Sequence, residues 1–186
     1  MSWLTNWPQP RKLHWLLLIS ALVITADRMS KNWISAHIPL GGAIPIIPRV
    51  LRLTHWTNEG AAFSLFADTA SPHIVRWALV AFTVAAALGI FVALLRLGSQ
   101  FTLTTIALAL ILGGAIGNVH DRIVYGSVID FIEVHIFTYH WPDFNVADSS
   151  VVTGACLLFL DSMLPRRKSP TDAASSRRAH GSVPPV

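Results

Sequence analysis

Long apolar runs dominate the pattern of this chain, and two of them are long enough to predict helices that cross a membrane. Trp77 to Leu95 holds 19 residues without a charge. A helix of about 20 residues crosses the ~30 Å hydrocarbon core of a bilayer. Phe101 to Gly117 is a second such run. It ends in Gly113-xxx-Gly117, a spacing that lets two helix backbones approach closely.

Two shorter runs complete a set of four. Trp15 to Ala26 has 12 residues and resembles a secretory signal peptide, but no cleavage site follows it, so we expect a retained first span. Ser149 to Leu160 also has 12 residues. It crosses a membrane only if its helix begins near Asn145 or Asp148 and continues to Leu164. The predicted spans are residues 13–33, 74–96, 101–120 and 145–164.

The segments between these runs show a different pattern. Residues 36–73 are rich in Pro and Gly, and within them Val50 to Asn58 alternates loosely, as a short exposed strand does. Gly126 to Ile136 alternates too, which would place Asp130 on a strand face with apolar neighbours. We therefore predict an all-α integral membrane protein with four transmembrane helices and a small extracytoplasmic β/loop region.

Composition supports a membrane protein. Of the 186 residues, 53% are hydrophobic and 13% are charged, against about 25% charged in a typical soluble domain. The net charge of +4 does not indicate a nucleic-acid partner, because the basic residues lie at the edges of apolar runs and form no aromatic-interleaved face. The single cysteine, Cys156, excludes an internal disulfide and a Cys-rich metal site.

The distribution of charge predicts the orientation. With the amino terminus inside, the inner segments hold eight basic and two acidic residues, and the outer segments hold six basic and eight acidic ones. Because cytoplasmic segments carry an excess of Lys and Arg, we expect both chain ends in the cytoplasm. Residues 166–186 would form a disordered basic cytoplasmic tail. Four acids then fall at the outer membrane face: Asp27, Asp121, Asp130 and Asp148.

Asp130 and Asp148 carry the most suggestive chemistry, because each lies among apolar residues. A buried acid normally has a partner or a role. Two carboxylates held together share a proton, so that one can accept a proton from an attacking water while the other protonates a peptide carbonyl. We expect Asp130 to be the protonated member, because Asp148 lies at a helix start, where the dipole favours an anion. Alternatively, the two acids are a helix cap and a structural salt-bridge partner.

Other hydrolytic mechanisms have less support. The sequence has no His-Glu-x-x-His, and its eight histidines are scattered without zinc-like spacing, so we predict no metal. Ser30 and Lys31 are adjacent and would point in different directions on a helix. A Ser–Lys dyad would need another serine, such as Ser64 or Ser149, brought to Lys31 by the fold.

Four blocks of residues occur in order and at suitable spacing along residues 13–164. They are Asp27-x-x-x-Lys31, Asn58-Glu-Gly-Ala-Ala-Phe-Ser64, Gly113-Gly-Ala-Ile-Gly-Asn118-Val-His-Asp121-Arg122 with Val128-Ile-Asp130-Phe131, and Trp141-Pro-Asp-Phe-Asn145-Val-Ala-Asp148-Ser149. Together they resemble the ordered motifs of lipoprotein signal peptidase, also called signal peptidase II. The last two blocks are long and specific.

The resemblance implies a bacterial inner-membrane aspartyl peptidase without cofactors, formed by residues 1–165 and active at the periplasmic face. Its substrates would be prolipoproteins, cut just before the cysteine that carries diacylglycerol, and its other partners membrane lipids. We expect a monomer. The implied catalytic pair is Asp130 and Asp148, the implied substrate-binding residues are Asn58, Gly60, Asn118, Arg122 and Asn145, and Asp27, Lys31 and Asp121 would be structural or positioning residues.

Two other classes of protein remain open from the sequence. A small transporter or proton relay could use the four aspartates as a path, although it would need acids distributed through the membrane depth. A structural membrane subunit without activity would leave Asn58, Asn145 and the two aspartates without a reason for their positions.

Overall fold

The computed structural model describes residues 11–60 and 71–164, and it contains four long helices. All four are long and apolar enough to cross a membrane, as predicted. The first helix continues beyond its predicted end, past the polar residues that follow the apolar run. The predicted tail and part of the predicted β/loop region lie outside the described residues. The helices are α1 (Leu13–His37), α2 (Pro72–Leu97), α3 (Leu103–Val124) and α4 (Val146–Met163).

The prediction of an all-α protein is only partly right, because the structure also has a four-stranded antiparallel sheet in the order β1-β2-β3-β4. The alternating segments became the two central strands, β2 and β3. The two edge strands were missed, because they are short and each contains a proline, which normally argues against a strand. The strands are β1 (Ala43–Ile47), β2 (Leu51–Asn58), β3 (Val128–Ile136) and β4 (Tyr139–Phe144).

Helix α3 is the central helix, and it packs against α1, α2 and α4. Glycine allows the close approach of α3 and α4. A Cβ added at Gly114 would lie 2.3 Å from the backbone oxygen of Ala147 and 2.4 Å from Oγ of Ser150. The neighbouring Gly113 meets α1 in the same way, at 2.8 Å from the backbone oxygen of Ser20. The predicted close approach of helix backbones is therefore confirmed at Gly113, whereas an added Cβ at Gly117 would meet Oδ2 of Asp27 at 2.9 Å.

Apolar side chains face outward along much of the helix bundle. On α2, for example, Phe82 is 74% exposed and Leu88 is 61% exposed. Water would disfavour such a surface, whereas hydrocarbon accommodates it, so the exposed faces fit a helix bundle surrounded by lipid.

The sheet connects directly to the helices. Strand β3 follows α3 after a short turn that contains Gly126, whose φ of 84° is a left-handed conformation suited to glycine. Asn145 alone separates β4 from α4. In the register of the sheet, Asp130 on β3 lies opposite Trp56 on β2. Trp56 is two residues before Asn58 on the same strand. These short connections bring the end of β2, the start of β3 and the start of α4 close together.

Candidate active site

Asp130 is buried near the start of β3, and two asparagine side chains bind its carboxylate. The exposed fraction of the residue is 5%. Nδ2 of Asn58 donates to Oδ2 over 3.0 Å, and Nδ2 of Asn145 donates to Oδ1 over 2.8 Å. Both oxygens therefore have an amide donor within the protein.

The pKa of Asp130 is raised to about 6, well above the usual value for an aspartate. Burial is the largest cause, because it disfavours the charged form. The hydrogen bond from Asn58 acts in the opposite direction, and the negative charge of Asp148 raises the pKa further. Asp130 is therefore protonated over an unusually wide pH range for a carboxylic acid.

Asp148 lies in the first turn of α4 and forms a reciprocal capping box with Asn145. The backbone N–H of Asp148 donates to Oδ1 of Asn145 over 3.0 Å, and the backbone N–H of Asn145 donates to Oδ2 of Asp148 over 3.2 Å. The other carboxylate oxygen, Oδ1, accepts from Nδ2 of Asn118 over 2.7 Å. Asp148 is thus a cap, as one sequence interpretation expected, and its second oxygen is bound by a different helix.

Asn145 connects the two aspartates, which are eighteen residues apart in the sequence. It is fully buried. Its side-chain amide donates to Asp130, and its backbone N–H donates to Asp148. Because one residue binds both carboxylates, the two acids belong to a single buried site. The sequence motifs alone did not establish that Asn145 contacts both aspartates.

Lys31 lies behind the pair and is completely buried. Its Nζ is 2.7 Å from Oδ2 of Asp27 and 2.7 Å from Oδ2 of Asp121. It also donates to Oδ1 of Asn118 over 3.2 Å. This last contact fixes the orientation of the Asn118 amide, because its oxygen faces Lys31 and its nitrogen must then face Asp148.

Asp27 and Asp121 extend the same network in two directions. Oδ1 of Asp27 accepts from the backbone N–H of Ala147 over 2.9 Å, which holds the first turn of α4 against α1. Oδ1 of Asp121 accepts from Nη1 of Arg28 over 2.9 Å. Arg28 had no assigned role in the sequence prediction. Its position, one residue after Asp27 and three before Lys31, was a weak signal of the shared network.

Arg122 lies partly buried near the end of α3 and interacts electrostatically with Asp148 and Asp130. Its Nη1 donates weakly to the backbone oxygen of Asn118 over 3.4 Å. Its Nε is buried and has no hydrogen-bond partner among residues 11–60 and 71–164. A buried donor without a partner is costly, so Nε is suited to bind a group that the substrate brings.

Gly60 acts on the site through Asn58. Its backbone N–H donates to Oδ1 of Asn58 over 2.8 Å, so the amide nitrogen of Asn58 is turned toward Asp130. The φ of Gly60 is +102°, and an added Cβ would lie 2.5 Å from Cδ1 of Leu79. The backbone conformation therefore favours glycine here, and an added side chain would also have to displace the Leu79 methyl.

Comparison with known proteins agrees with this architecture. The sequence profile of the family described as signal peptidase (SPase) II matches residues 19–164. The chain is 38% identical over 152 residues to the lipoprotein signal peptidase of Yersinia enterocolitica, covering 82% of this chain and 88% of the relative. It is 37% identical over 155 residues to that of Brevibacillus brevis, covering 83% and 99%.

A solved structure agrees as well. The fold is similar to a bacterial membrane enzyme determined by the in meso method at 1.9 Å, with a TM-score of 0.72 and 27% sequence identity. The match covers 81% of this chain and 94% of that chain.

Four membrane-length helices and an aspartic-peptidase sequence profile define a multi-pass membrane peptidase. More narrowly, the chain belongs to the signal peptidase II family. Members of this family are aspartic peptidases that cleave signal peptides from prolipoproteins. The family therefore favours the peptidase interpretation over a transporter or proton relay.

Proposed function

We propose that this chain cuts diacylglyceryl-modified prolipoproteins just before the lipidated cysteine, with Asp130 and Asp148 as its catalytic pair. The observation that carries the proposal is the double contact of Asn145, whose amide binds Asp130 while its backbone N–H binds Asp148. The ligand that these two acids share is an uncharged asparagine, so neither carboxylate is paired with a cation through it. The remaining acids of the buried network, Asp27 and Asp121, are paired with the cations Lys31 and Arg28 and are therefore positioning residues.

The two carboxyl groups have different tasks. Asp148 is ionised and accepts a proton from the water that attacks the scissile carbonyl carbon. Asp130 is protonated and donates its proton to the carbonyl oxygen, which gives a neutral tetrahedral intermediate. The C–N bond then breaks as Asp148 gives its proton to the leaving nitrogen and one hydroxyl of the intermediate returns its proton to Asp130, which forms the new carboxyl group and restores both aspartates. The raised pKa of Asp130 supports this division, and so does the helix start at Asp148, where the dipole favours an anion.

Four polar side chains surround the reacting bond in this proposal. Asn58, Asn118 and Asn145 donate to the two carboxylates and hold them in place beside the substrate. Arg122 contributes its buried Nε to a substrate carbonyl. At the end of β2, Gly60 lets the substrate backbone approach closely. Its N–H holds the orientation of the Asn58 side-chain amide.

We further propose that the site lies at the periplasmic face of the bacterial inner membrane, with both chain ends in the cytoplasm. The excess of Lys and Arg in the inner segments supports this orientation. At this interface the lipid anchor of the substrate holds its cysteine at the depth of the site. Residues 1–165 are the peptidase domain, residues 166–186 are a cytoplasmic tail, and the enzyme acts as a monomer on prolipoproteins among membrane lipids.

The orientation has a direct test. Phe137, at the β3–β4 turn, is 99% exposed. In a Cys156→Ala background, Phe137→Cys should react in intact cells with a thiol reagent that crosses the outer but not the inner membrane. Ser99→Cys, in the exposed α2–α3 connection, should react only after the inner membrane is opened. The reverse labelling would overturn the orientation.

Cleavage of a lipidated prolipoprotein by purified protein tests the catalytic pair. Asp130→Asn and Asp148→Asn should each lower the rate by roughly 10²–10⁴-fold, because each removes a proton transfer. Asp161→Asn is the matched control, since Asp161 is on α4 but binds Thr104 near the other end of the bundle. Full activity in either of the first two variants would remove the assignment.

A further inference from the structure

Three side chains with metal-binding atoms meet on the hairpin formed by β3 and β4. They are Glu133, His135 and His140, and their ligand atoms all lie within 4.8 Å of one another. None of them belongs to the site described above. The spacing of these residues along the chain gave no indication of the cluster, because its members come from two strands.

The sheet explains why the three side chains point the same way. Glu133 and His135 are two residues apart on β3 and so lie on one face of the strand. His140 on β4 lies directly opposite His135 in the antiparallel register. The two imidazole rings are nearly parallel, with 4.8 Å between their centroids. Antiparallel pairing thus places three potential ligands on one small patch.

The distances suit a bound ion. Nε2 of His135 and Nε2 of His140 each lie 2.9 Å from Oε1 of Glu133. Zinc binds imidazole nitrogen and carboxylate oxygen at about 2.0–2.2 Å, so two ligand atoms on one tetrahedral ion are about 3.3–3.6 Å apart. The ligand atoms are therefore within about 1 Å of the separation that an ion requires, and the two histidine–glutamate contacts would open slightly on binding.

The carboxylate is held in place, whereas the histidines are accessible. The Glu133 side chain is 3% exposed, and Arg52 binds both of its oxygens at 2.5 Å. A ligating carboxylate is commonly held by a hydrogen bond to one of its oxygens, a role that Nε of Arg52 can keep on Oε2. The Arg52 side chain is 44% exposed, so its Nη2 can leave Oε1 while Nε stays on Oε2. The His140 side chain is 56% exposed, which gives an ion a path from solvent.

A fourth ligand is available next to this group. Oδ1 of Asp143 lies 3.4 Å from Nε2 of His140, and Oδ2 of the same carboxylate accepts from Oγ1 of Thr54 over 2.8 Å. Two imidazoles and one or two carboxylates form a borderline donor set that suits Zn²⁺ better than Mg²⁺ or Ca²⁺, which prefer oxygen ligands only.

We propose that the β3–β4 hairpin binds one divalent transition-metal ion of the Zn²⁺ type through Glu133, His135 and His140, with Asp143 or water as the fourth ligand. The ion stabilises the fold rather than taking part in proteolysis. It links β3, which carries Asp130, to β4, which leads into Asn145 and α4. Metal occupancy therefore stiffens the connection between the two halves of the active site.

Zinc titration of full-length protein, purified in detergent and freed of any histidine tag, tests the proposal. After treatment with a chelator, the protein should bind one Zn²⁺ per chain by calorimetry. His140→Ala should weaken binding by more than about tenfold, since loss of a ligand costs at least as much as loss of its supporting partner. His73→Ala is the control, because His73 is also exposed but lies on α2, and this variant should bind zinc as the unaltered protein does.

A second measurement keeps the test independent of proteolysis. Zn²⁺ should raise the thermal unfolding temperature of the unaltered protein and of His73→Ala, but not that of His135→Ala or His140→Ala. Absence of stoichiometric binding by the unaltered protein would overturn the proposal. So would equal zinc affinity in His140→Ala, or an equal loss in His73→Ala. Zinc binding with unchanged cleavage would support a structural site and leave the aspartyl mechanism intact.

Discussion

At the scale of single residues, Asn145 is the side chain on which the site depends most. It caps α4, binds Asp130 with its side chain and binds Asp148 with its backbone. A shorter side chain would lose the cap and the Asp130 contact together, while aspartate would bring a third negative charge to the pair. Asparagine offers both a donor and an acceptor without charge, which is what this position requires.

Replacing Asn145 by alanine should therefore affect stability and activity at once. We expect a loss of about 1 kcal/mol in the free energy of unfolding, the usual cost of a lost cap. Cleavage should fall much more, because Asp130 loses a donor and the two carboxylates lose their common ligand. Asn32→Ala, at an exposed position of α1, should change neither quantity. Near-normal cleavage by Asn145→Ala would contradict the proposed role.

The raised pKa of Asp130 predicts a pH dependence. Since the mechanism needs Asp130 protonated, kcat/KM should fall as the pH rises through about 6. The hydrogen bond from Asn58 lowers this pKa, so Asn58→Ala should move the alkaline limb of the profile to higher pH. A profile recorded for both proteins checks the direction. Movement to lower pH, or no movement, would count against Asp130 as the acid.

At the scale of elements, the contact between α3 and α4 sets the position of Asp148 relative to Asn118. Gly114 permits this contact, because any Cβ there would meet the backbone of Ala147. Asn118 follows one helical turn later on the same face of α3 and reaches Asp148. Close packing of two backbones thus determines the geometry of a hydrogen bond in the site.

Gly114→Ala should separate the two helices. We expect overpacking to cost about 1–3 kcal/mol in the free energy of unfolding and cleavage to decrease as the Asn118–Asp148 bond lengthens. Gly89→Ala is a matched control on α2, where an added Cβ meets nothing within 4 Å. That change should leave activity unaltered and should not destabilise the protein, because alanine favours helix. Thermal unfolding in detergent and a cleavage assay measure both effects; equal stability of the two variants would contradict the packing argument.

At the scale of the whole molecule, one buried charge network joins three helices around Lys31. The lysine comes from α1, Asp121 and Asn118 from α3, and Asp27 holds the first turn of α4. A buried lysine between two carboxylates is stable only while all three are present, because removing one leaves uncompensated charge. The network therefore helps to hold the helices in the arrangement that forms the site.

Lys31→Met should be among the most destabilising single changes, at about 3–5 kcal/mol, because Asp27 would remain buried without a cation and Asp121 would keep only the partly exposed Arg28. Adding Asp121→Asn to this variant should restore part of the lost stability, since one uncompensated charge is removed. Thermal unfolding of the single and double variants measures this coupling. Additive destabilisation by the two changes would contradict the network.

The sequence by itself determined the features that depend on local pattern and solvent. Two long and two shorter apolar runs predicted the four helices, and alternation predicted β2 and β3. The ordered motifs indicated the family. In hydrocarbon the backbone must form all its hydrogen bonds within the helix, and elsewhere apolar and polar side chains must lie on opposite faces. Both requirements act between residues close in sequence, so the local pattern is enough to predict these features.

Only the tertiary structure decided which distant side chains meet. The joint binding of Asp130 and Asp148 by Asn145, the burial of Lys31 between two acids and the Glu133–His135–His140 cluster all join residues from different elements. The edge strands β1 and β4 belong to the same category, because their pattern is weak and a neighbouring strand supplies their hydrogen bonds. Such contacts depend on packing distances of a few tenths of an ångström, as at Gly114, and no local periodicity carries that information.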